Sequence, residues 1–343
     1  MNDAFLDRSF PAVAINGPGM ASLTRLQMPT IGPDDVVVKV AYVGVCRTDL
    51  EIYAGSLGYF ASGLGTYPIV PGHEMSGTVA AIGPSVRGLS ISERVVVECI
   101  QSCHHCSECL HGNWIACADR KELGVLRANG AYARYVVVPS RFVHRLPGNL
   151  DLARAALCEP LAVCVKGLDR LARAWSGNGR PRRCAVIGAG PIGRMCALLL
   201  AQRGHAVTAF DRDVQRLADL PSLGIAASPR LDALRQFDAL VEATGDPLAL
   251  DQALLASRAG ATILLLGFPY GSRPFNFENI VAYDRVVVGS VGSSRADVRK
   301  AIDLLRDLPL DAYMRTVLPL DRFADAWNRR RPHGCPTPRL KVD

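Results

Sequence analysis

The stretch RRCAVIGAGPIGRMCALLLAQRGHAVTAFDRD, residues 182–213, constrains this chain more than any other. CAVI reads as a buried strand, the glycine run as a turn, MCALLLAQ as an apolar helix, and AVTAF as a second strand ending at Asp211. A strand, tight turn, helix and further strand commit the chain to a parallel sheet covered by helices. The turn is Gly188-Ala189-Gly190-Pro191-Ile192-Gly193. Gly188 permits its sharp bend, Gly190 lets backbone approach a pyrophosphate, and Gly193 lets helix pack on strand. The helix N-terminus offers free N–H groups and a positive dipole end to phosphates. Asp211 stands where a carboxylate accepts hydrogen bonds from the adenosine ribose. A carboxylate there repels a 2′-phosphate, so NAD is favoured. Arg212 and Arg216 weaken that preference without reversing it, which leaves NADP possible.

The alternation continues downstream through FDALVEATG, LALDQALLASRAG, ATILLLGFP and RVVVGSVG. Upstream the period changes. VVVKVAYVGV, SGTVAAIG, ERVVVECI and YARYVVVP read as short strands with glycine and proline punctuation. LARAALCEPLAVCVKGLDRLARA (152–174) has helical spacing, and Pro160 suits a helix start or a kink. The expected architecture is α/β in two domains: a β-rich domain of residues 1–158 and 294–343, and a doubly wound cofactor domain of residues 159–293. A length of 343 residues agrees with two cores.

Charge and composition narrow the partners. The net charge is +7, yet only five of the 39 basic residues are lysine and the arginines scatter along the chain. That reads as a solvated surface, with no nucleic-acid partner. Met1 to Pro11 carries Asp3, Asp7 and Arg8, and no apolar run approaches the roughly 20 residues that span a bilayer. A cytoplasmic protein without a membrane partner is expected, so its eleven cysteines should be reduced.

Four of them form C-x2-C-x2-C-x7-C in CHHCSECLHGNWIAC: Cys103, Cys106, Cys109 and Cys117. Four thiolates leave no open position, which is the pattern of a structural zinc in a lobe of about residues 99–118. His104, His105 and His111 are then loop residues. A second constellation is dispersed. GVCRTDLE brings Cys46, Thr48, Asp49 and Glu51, PGHEMSG brings His73 and Glu74, and LCEPLAV brings Glu159. One thiolate, one imidazole and one carboxylate make the three-ligand, open pattern of a catalytic zinc. Adjacent residues of a strand face opposite ways. His73 and Glu74 can therefore share a metal only from a turn, which Pro71-Gly72 permits; otherwise Glu159 is the third ligand.

GVCRTDL, PGHE, the four-cysteine loop and GAGPIG, in this order, resemble the zinc-dependent medium-chain dehydrogenases/reductases over nearly the whole chain. LCEPLAV resembles the polyol branch of sorbitol, butanediol and glucose dehydrogenases. YPIVPGHEMSG, KELGVLRANGAYARYVVVP and CEPLAVCVKGLDRL resemble aminocyclitol dehydrogenases of the 2-deoxy-scyllo-inosamine type, and FNFENIVAYDRVVVGSVGSSRADVRKAI the glucose dehydrogenases. The resemblance implies a GroES-like catalytic domain and a Rossmann domain, with two Zn2+ per chain. The catalytic ion falls on Cys46, His73, Glu74 and Glu159; the structural ion falls on the four cysteines. It implies hydride transfer between NAD(P) and a secondary alcohol of a polyol, sugar or (amino)cyclitol, giving a ketone. Thr48 matches the hydroxyl that relays the proton, with Glu51 where many relatives have a histidine. Arg47 resembles an arginine that contacts cofactor phosphate. Thr244, Gly267 and Val291 join the dinucleotide set; Tyr53, Tyr59, Phe60 and Phe268 are expected around the substrate. A homodimer or homotetramer is expected, paired through RVVVGSVG. The alternatives are a dehydrogenase of simple secondary alcohols or diols, and a zinc-independent reductase of activated double bonds. LSISERV (89–95), where relatives often read GDRV, implies a local change of turn.

Overall fold

The computed structural model describes residues 9–175, 182–231, 237–267, 275–328 and 338–342. These fall into two compact units, and the division lies between Glu159 and Pro160, inside the helix Cys158–Ala174. One unit comprises described residues up to 159 and again from 293; the other spans Pro160–Gly292.

The first unit is built on a seven-stranded sheet. Its centre is Asp35–Gly44, DVVVKVAYVG, flanked by the antiparallel strands Met75–Ile82 and Arg339–Lys341 and paired also with Tyr135–Pro139. Valines on both faces of this strand are buried, so it reads as a nearly continuous apolar run instead of an alternating one. The strand Arg94–Val97 ends sooner than ERVVVECI implies. After Glu98, whose N–H bonds to the Phe142 carbonyl, the chain enters a separate pair, Ile100–Gln101 with Lys121–Glu122. That pair frames the segment carrying Cys103 to Cys117. The turn at 89–95 holds Ser92 in the left-handed region (φ 70°), its N–H bonded to the Val79 carbonyl.

The helix Cys158–Ala174 begins two residues before Pro160. At this first turn a missing N–H costs nothing, so the proline marks a start and not a kink. The last segment includes the helix Arg295–Leu304, opened by a capping box between Ser294 and Asp297.

The second unit is a sheet of six parallel strands in the order 226–228, 206–210, 183–187, 239–242, 262–265, 286–289. The chain starts at the centre with Arg183–Ile187, winds outward to one edge, then returns to the other side at Ala239–Glu242. Strand order therefore reverses between these two, and the crevice beyond their carboxyl ends is where such sheets bind ligands. The following helix, Pro191–Gln202, is buried from Gly193 to Leu200, which explains why Arg194 is the one charged residue in it. Among the described residues no helix is long and apolar enough to cross a membrane.

Candidate active site

The glycine turn lies at the reversal point. Gly188 has φ +95°, a conformation that favours glycine, and a Cβ on Gly193 would stand 1.8 Å from the Gly188 carbonyl oxygen. Gly190 differs: no heavy atom lies within 4 Å of where its Cβ would be. Nothing in the protein demands glycine there, so the space above it fits a ligand's close approach. Pro191 opens the helix and Ile192 follows, half-buried. Asp211 directly follows its strand and accepts from the N–H of Ala189 (2.8 Å) and of Asp213 (2.9 Å). Arg216 lies 3.4 Å from the same carboxylate, while Arg212 is exposed and 3.8 Å from Asp246. Thr244 is held by Glu242, a buried carboxylate that accepts from its N–H (2.7 Å). Gly267 packs where a Cβ would fall 2.2 Å from the Gly245 nitrogen. Val291 accepts a hydrogen bond from Lys166 Nζ (2.6 Å) through its carbonyl.

In the first unit the four sulfurs of Cys103, Cys106, Cys109 and Cys117 lie within 4.8 Å of one another. Cys103 and Cys109 sulfurs are 3.8 Å apart, close to the separation of two corners of a tetrahedron with Zn–S bonds of about 2.3 Å. Backbone N–H groups point at them, from Cys103 to Cys117 Sγ (3.5 Å) and from Cys106 to Cys103 Sγ (3.4 Å). Donors of this kind favour thiolate. The N–H groups of His105 and Cys106 hold the Cys103 thiol down to about 6. The histidines stay outside: His111 bonds within its own turn, to the Ser107 carbonyl, and the His104 ring sits 5.6 Å from that of Phe142. Among the described residues every cysteine is free.

The second group is Cys46, His73 and Glu74, whose ligand atoms also lie within 4.8 Å of one another. Cys46 is the N-cap of the helix Arg47–Ala54, positioned by a capping box in which its N–H bonds to Asp49 Oδ2 (2.9 Å). His73 and Glu74 precede the strand that starts at Met75. They occupy a turn after Gly72 (φ +97°), so adjacent side chains reach one point. Two glycines make room. A Cβ at Gly72 would meet the Tyr132 ring at 2.3 Å, and one at Gly44 would meet Glu74 Oε2 at 2.1 Å. Glu159 does not join this group; it acts electrostatically on His73 and Glu74 from farther away.

Charge is concentrated here. Burial pushes the Cys46 thiol up and Glu74 up to about 7. Burial alone would lower His73, but the Cys46 thiolate, Asp49 and Glu159 hold it well above the ordinary imidazole range. His73 Nδ1 is buried without a hydrogen-bond partner, 3.8 Å from Asp49 Oδ1. Buried anions around one imidazole, with a polar atom left over, fit a cation better than they fit each other. Both donor sets suit zinc: four sulfurs closed, and Cys–His–Glu with Cys46 and Glu74 only half-buried.

Thr48 Oγ1 lies 3.6 Å from Cys46 Sγ. Glu51 is buried and accepts from Arg47 Nε at 2.8 Å, in a pair whose arginine is 63% exposed. Tyr53 packs on Trp327 (5.2 Å between rings) and Phe60 on Tyr67 (4.6 Å). Tyr59 donates to Glu122 Oε1 (3.3 Å) and accepts from Arg120 (3.1 Å). Phe268 lies outside the described residues.

Sequence reasoning gave no role to two residues. Asp49, fully buried, accepts from the N–H groups of Cys46 and Gly72 (3.1 Å) and from the Tyr132 hydroxyl (3.2 Å), tying both ligand segments together. Only its place in GVCRTDL could have pointed to it. Arg339 is 1% exposed, none of its guanidinium nitrogens has a hydrogen-bond partner, and burial pushes it down to about 10 against the pull of Glu74. No local signal marks it.

Residues 32–148 match the alcohol dehydrogenase GroES-like domain family, and residues 153–333 the glucose dehydrogenase C-terminus family. The chain is 34% identical to D-altritol 5-dehydrogenase of Agrobacterium fabrum, over 73% of this chain and 74% of that protein. It is 29% identical to a sorbitol dehydrogenase of Halalkalibacterium halodurans, over 92% of each. Among solved structures it resembles a Sinorhizobium meliloti 1021 protein assigned as a zinc-binding dehydrogenase and bound to NADP. The TM-score is 0.87 at 26% identity, covering 98% of this chain and 100% of that one.

Proposed function

This chain belongs to the zinc-type medium-chain alcohol/polyol dehydrogenase family, and we propose that it oxidises a secondary hydroxyl of a cyclitol or sugar alcohol at the Cys46–His73–Glu74 cluster. Alcohol–ketone oxidoreduction with NAD(P) is the reaction of the family. The observation that carries the site is the convergence of a thiol, an imidazole and a carboxylate from segments far apart in sequence, with two of the three half-buried and open to a ligand.

A zinc ion on those three residues would supply Lewis acidity toward the substrate oxygen, and a bound dinucleotide would accept the hydride. The chain's own groups do the rest. Asp49 anchors both ligand segments. The Thr48 hydroxyl, beside Cys46 Sγ, takes the substrate proton, and Glu51 offers it an exit. Gly190 admits the pyrophosphate, the N–H groups at the start of Pro191–Gln202 bind it, and Asp211 receives the ribose. Cys103, Cys106, Cys109 and Cys117 would hold a second zinc as a structural brace. A reductase of activated double bonds needs no metal, and the Cys–His–Glu set argues against it.

The resemblances in YPIVPGHEMSG and CEPLAVCVKGLDRL support an aminocyclitol or cyclitol substrate over a simple diol. The assembly we propose is a homo-oligomer paired through the edge strand Val286–Gly289, where Val286 and Val287 stand 43% and 36% exposed. A screen of polyols, aldoses and aminocyclitols with NAD and NADP, read as reduced nicotinamide, tests the reading. Turnover with cyclitols or sugar alcohols is the expected result; turnover confined to simple alcohols would overturn the substrate class. NAD is the preferred cofactor, and Asp211→Ala should shift the preference toward NADP by roughly tenfold.

A further inference from the structure

We infer that a basic groove of the first unit is a binding site for a compact polyphosphate anion, independent of both metal-ligand clusters and of the dinucleotide turn. The groove, about 710 Å³, lies between the helix Arg295–Leu304 and the segments 87–89 and 140–147. Arg87, Arg141, Arg145, Arg295 and Arg299 line it, with Asp303 the one carboxylate of the lining. The arginines that scatter along the sequence are thus gathered here from three separate segments.

Their charges are only partly neutralised. Arg145 pairs with Glu93 (3.3 Å) and Arg295 with Glu98 (3.4 Å). Glu98 is itself fixed by His144 at 2.6 Å, both being buried, so the floor under Arg295 is rigid. Arg87 donates to the carbonyls of Pro84 (2.8 Å) and Val86 (2.9 Å), contacts that hold the side chain without cancelling its charge. Arg141 lies over the Phe142 ring at 4.9 Å. Among the described residues, Arg87, Arg141 and Arg299 have no carboxylate partner. With Glu93, Glu98 and Asp303 set against five guanidiniums, the groove keeps two positive charges.

Guanidinium forks held by packing and by carbonyls match phosphate oxygens, and several around one concavity favour linked phosphates over a single charge. The lining contains no Phe, Tyr or Trp ring except Val-flanked backbone, and its one imidazole, His144, is buried and tied to Glu98. Bases of a single-stranded nucleic acid would find no stacking surface there, so the occupant is a small anion.

The test uses the full-length, zinc-loaded enzyme saturated with NAD, so that the dinucleotide turn is filled. Inorganic pyrophosphate is titrated by calorimetry at ~0.15 M ionic strength. Wild type should bind saturably, and Arg141→Glu and Arg299→Glu should each bind at least roughly tenfold more weakly, with unchanged kcat and unchanged Tm without anion. Arg299→Gln, an exposed and milder change, should weaken binding in the same direction. Equal binding by wild type and variants would overturn the site, because metal stripping or binding elsewhere affects them all alike. Absence of saturable binding, or tighter binding of a single-stranded oligonucleotide than of pyrophosphate, would also overturn it.

Discussion

The two metal-ligand clusters of the first unit are made in opposite ways. The four-cysteine cluster comes from one short loop, closed at its base by Ile100–Gln101 and Lys121–Glu122. The Cys46–His73–Glu74 cluster is assembled from a helix N-cap and a turn that lie far apart in sequence and are brought together by the fold. The loop cluster lies at the surface, its sulfurs served by nearby backbone N–H groups. The dispersed cluster is flanked by the carboxyls of half-buried Glu74 and Glu159 and of buried Asp49, which would repel one another without a cation. A local cluster depends on metal for its own fold, while a dispersed one is held by the fold and lends its metal to chemistry.

The largest test of this contrast is Cys46→Ser or His73→Ala. Turnover should fall at least ~100-fold, the scale on which even a supporting residue of a metal site acts. Circular dichroism and Tm should stay near wild type; full activity in either variant would sink the assignment. Cys106→Ser should do the reverse, lowering Tm or solubility first. Metal analysis should then find about one zinc per chain instead of two. If stability were untouched, the loop would not be a brace.

Gly44→Ala sharpens the comparison, because the added Cβ would stand 2.1 Å from Glu74 Oε2. Glu74 must move, so activity and one zinc should be lost while the loop's zinc stays. Retention of both metals with full activity would show that Glu74 has slack. The smallest effect concerns Glu122, which ends the loop's base strand. Burial raises its carboxyl despite Arg120 at 3.1 Å. The folded state therefore keeps a proton that the unfolded chain has lost, and stability falls as pH rises from the ordinary carboxylate range through the raised value. Glu122→Gln should remove that slope, by about 1 kcal/mol or less at neutral pH. A wild-type Tm that is flat against pH there would contradict it.

How much could be read in advance follows from the same contrast. CHHCSECLHGNWIAC and GAGPIG carry their spacing within one stretch, and the structure brings their residues together as the spacing implies. Between Glu74 and Glu159 the sequence left a choice, because it turned on whether His73-Glu74 lay in a strand or a turn. The chain conformation at Gly72 decides for Glu74 as neighbour of Cys46 and His73. Gly44 beneath Glu74, and Arg339 opposite Gly44 in register, were invisible, since strand pairing alone makes them neighbours. The arginine groove was missed for the same reason.

The pairing of Arg339–Lys341 with Asp35–Gly44 also sets a timetable. A ribosome completes the whole parallel-sheet unit before it makes the strand that finishes the first sheet. The first unit thus closes only after the second has been made, because Arg339, its counter-charge to Glu74, follows that unit in the chain. Nascent chains can settle the cysteine loop early, but the Cys46–His73–Glu74 cluster gains that partner only after the parallel-sheet unit has been made.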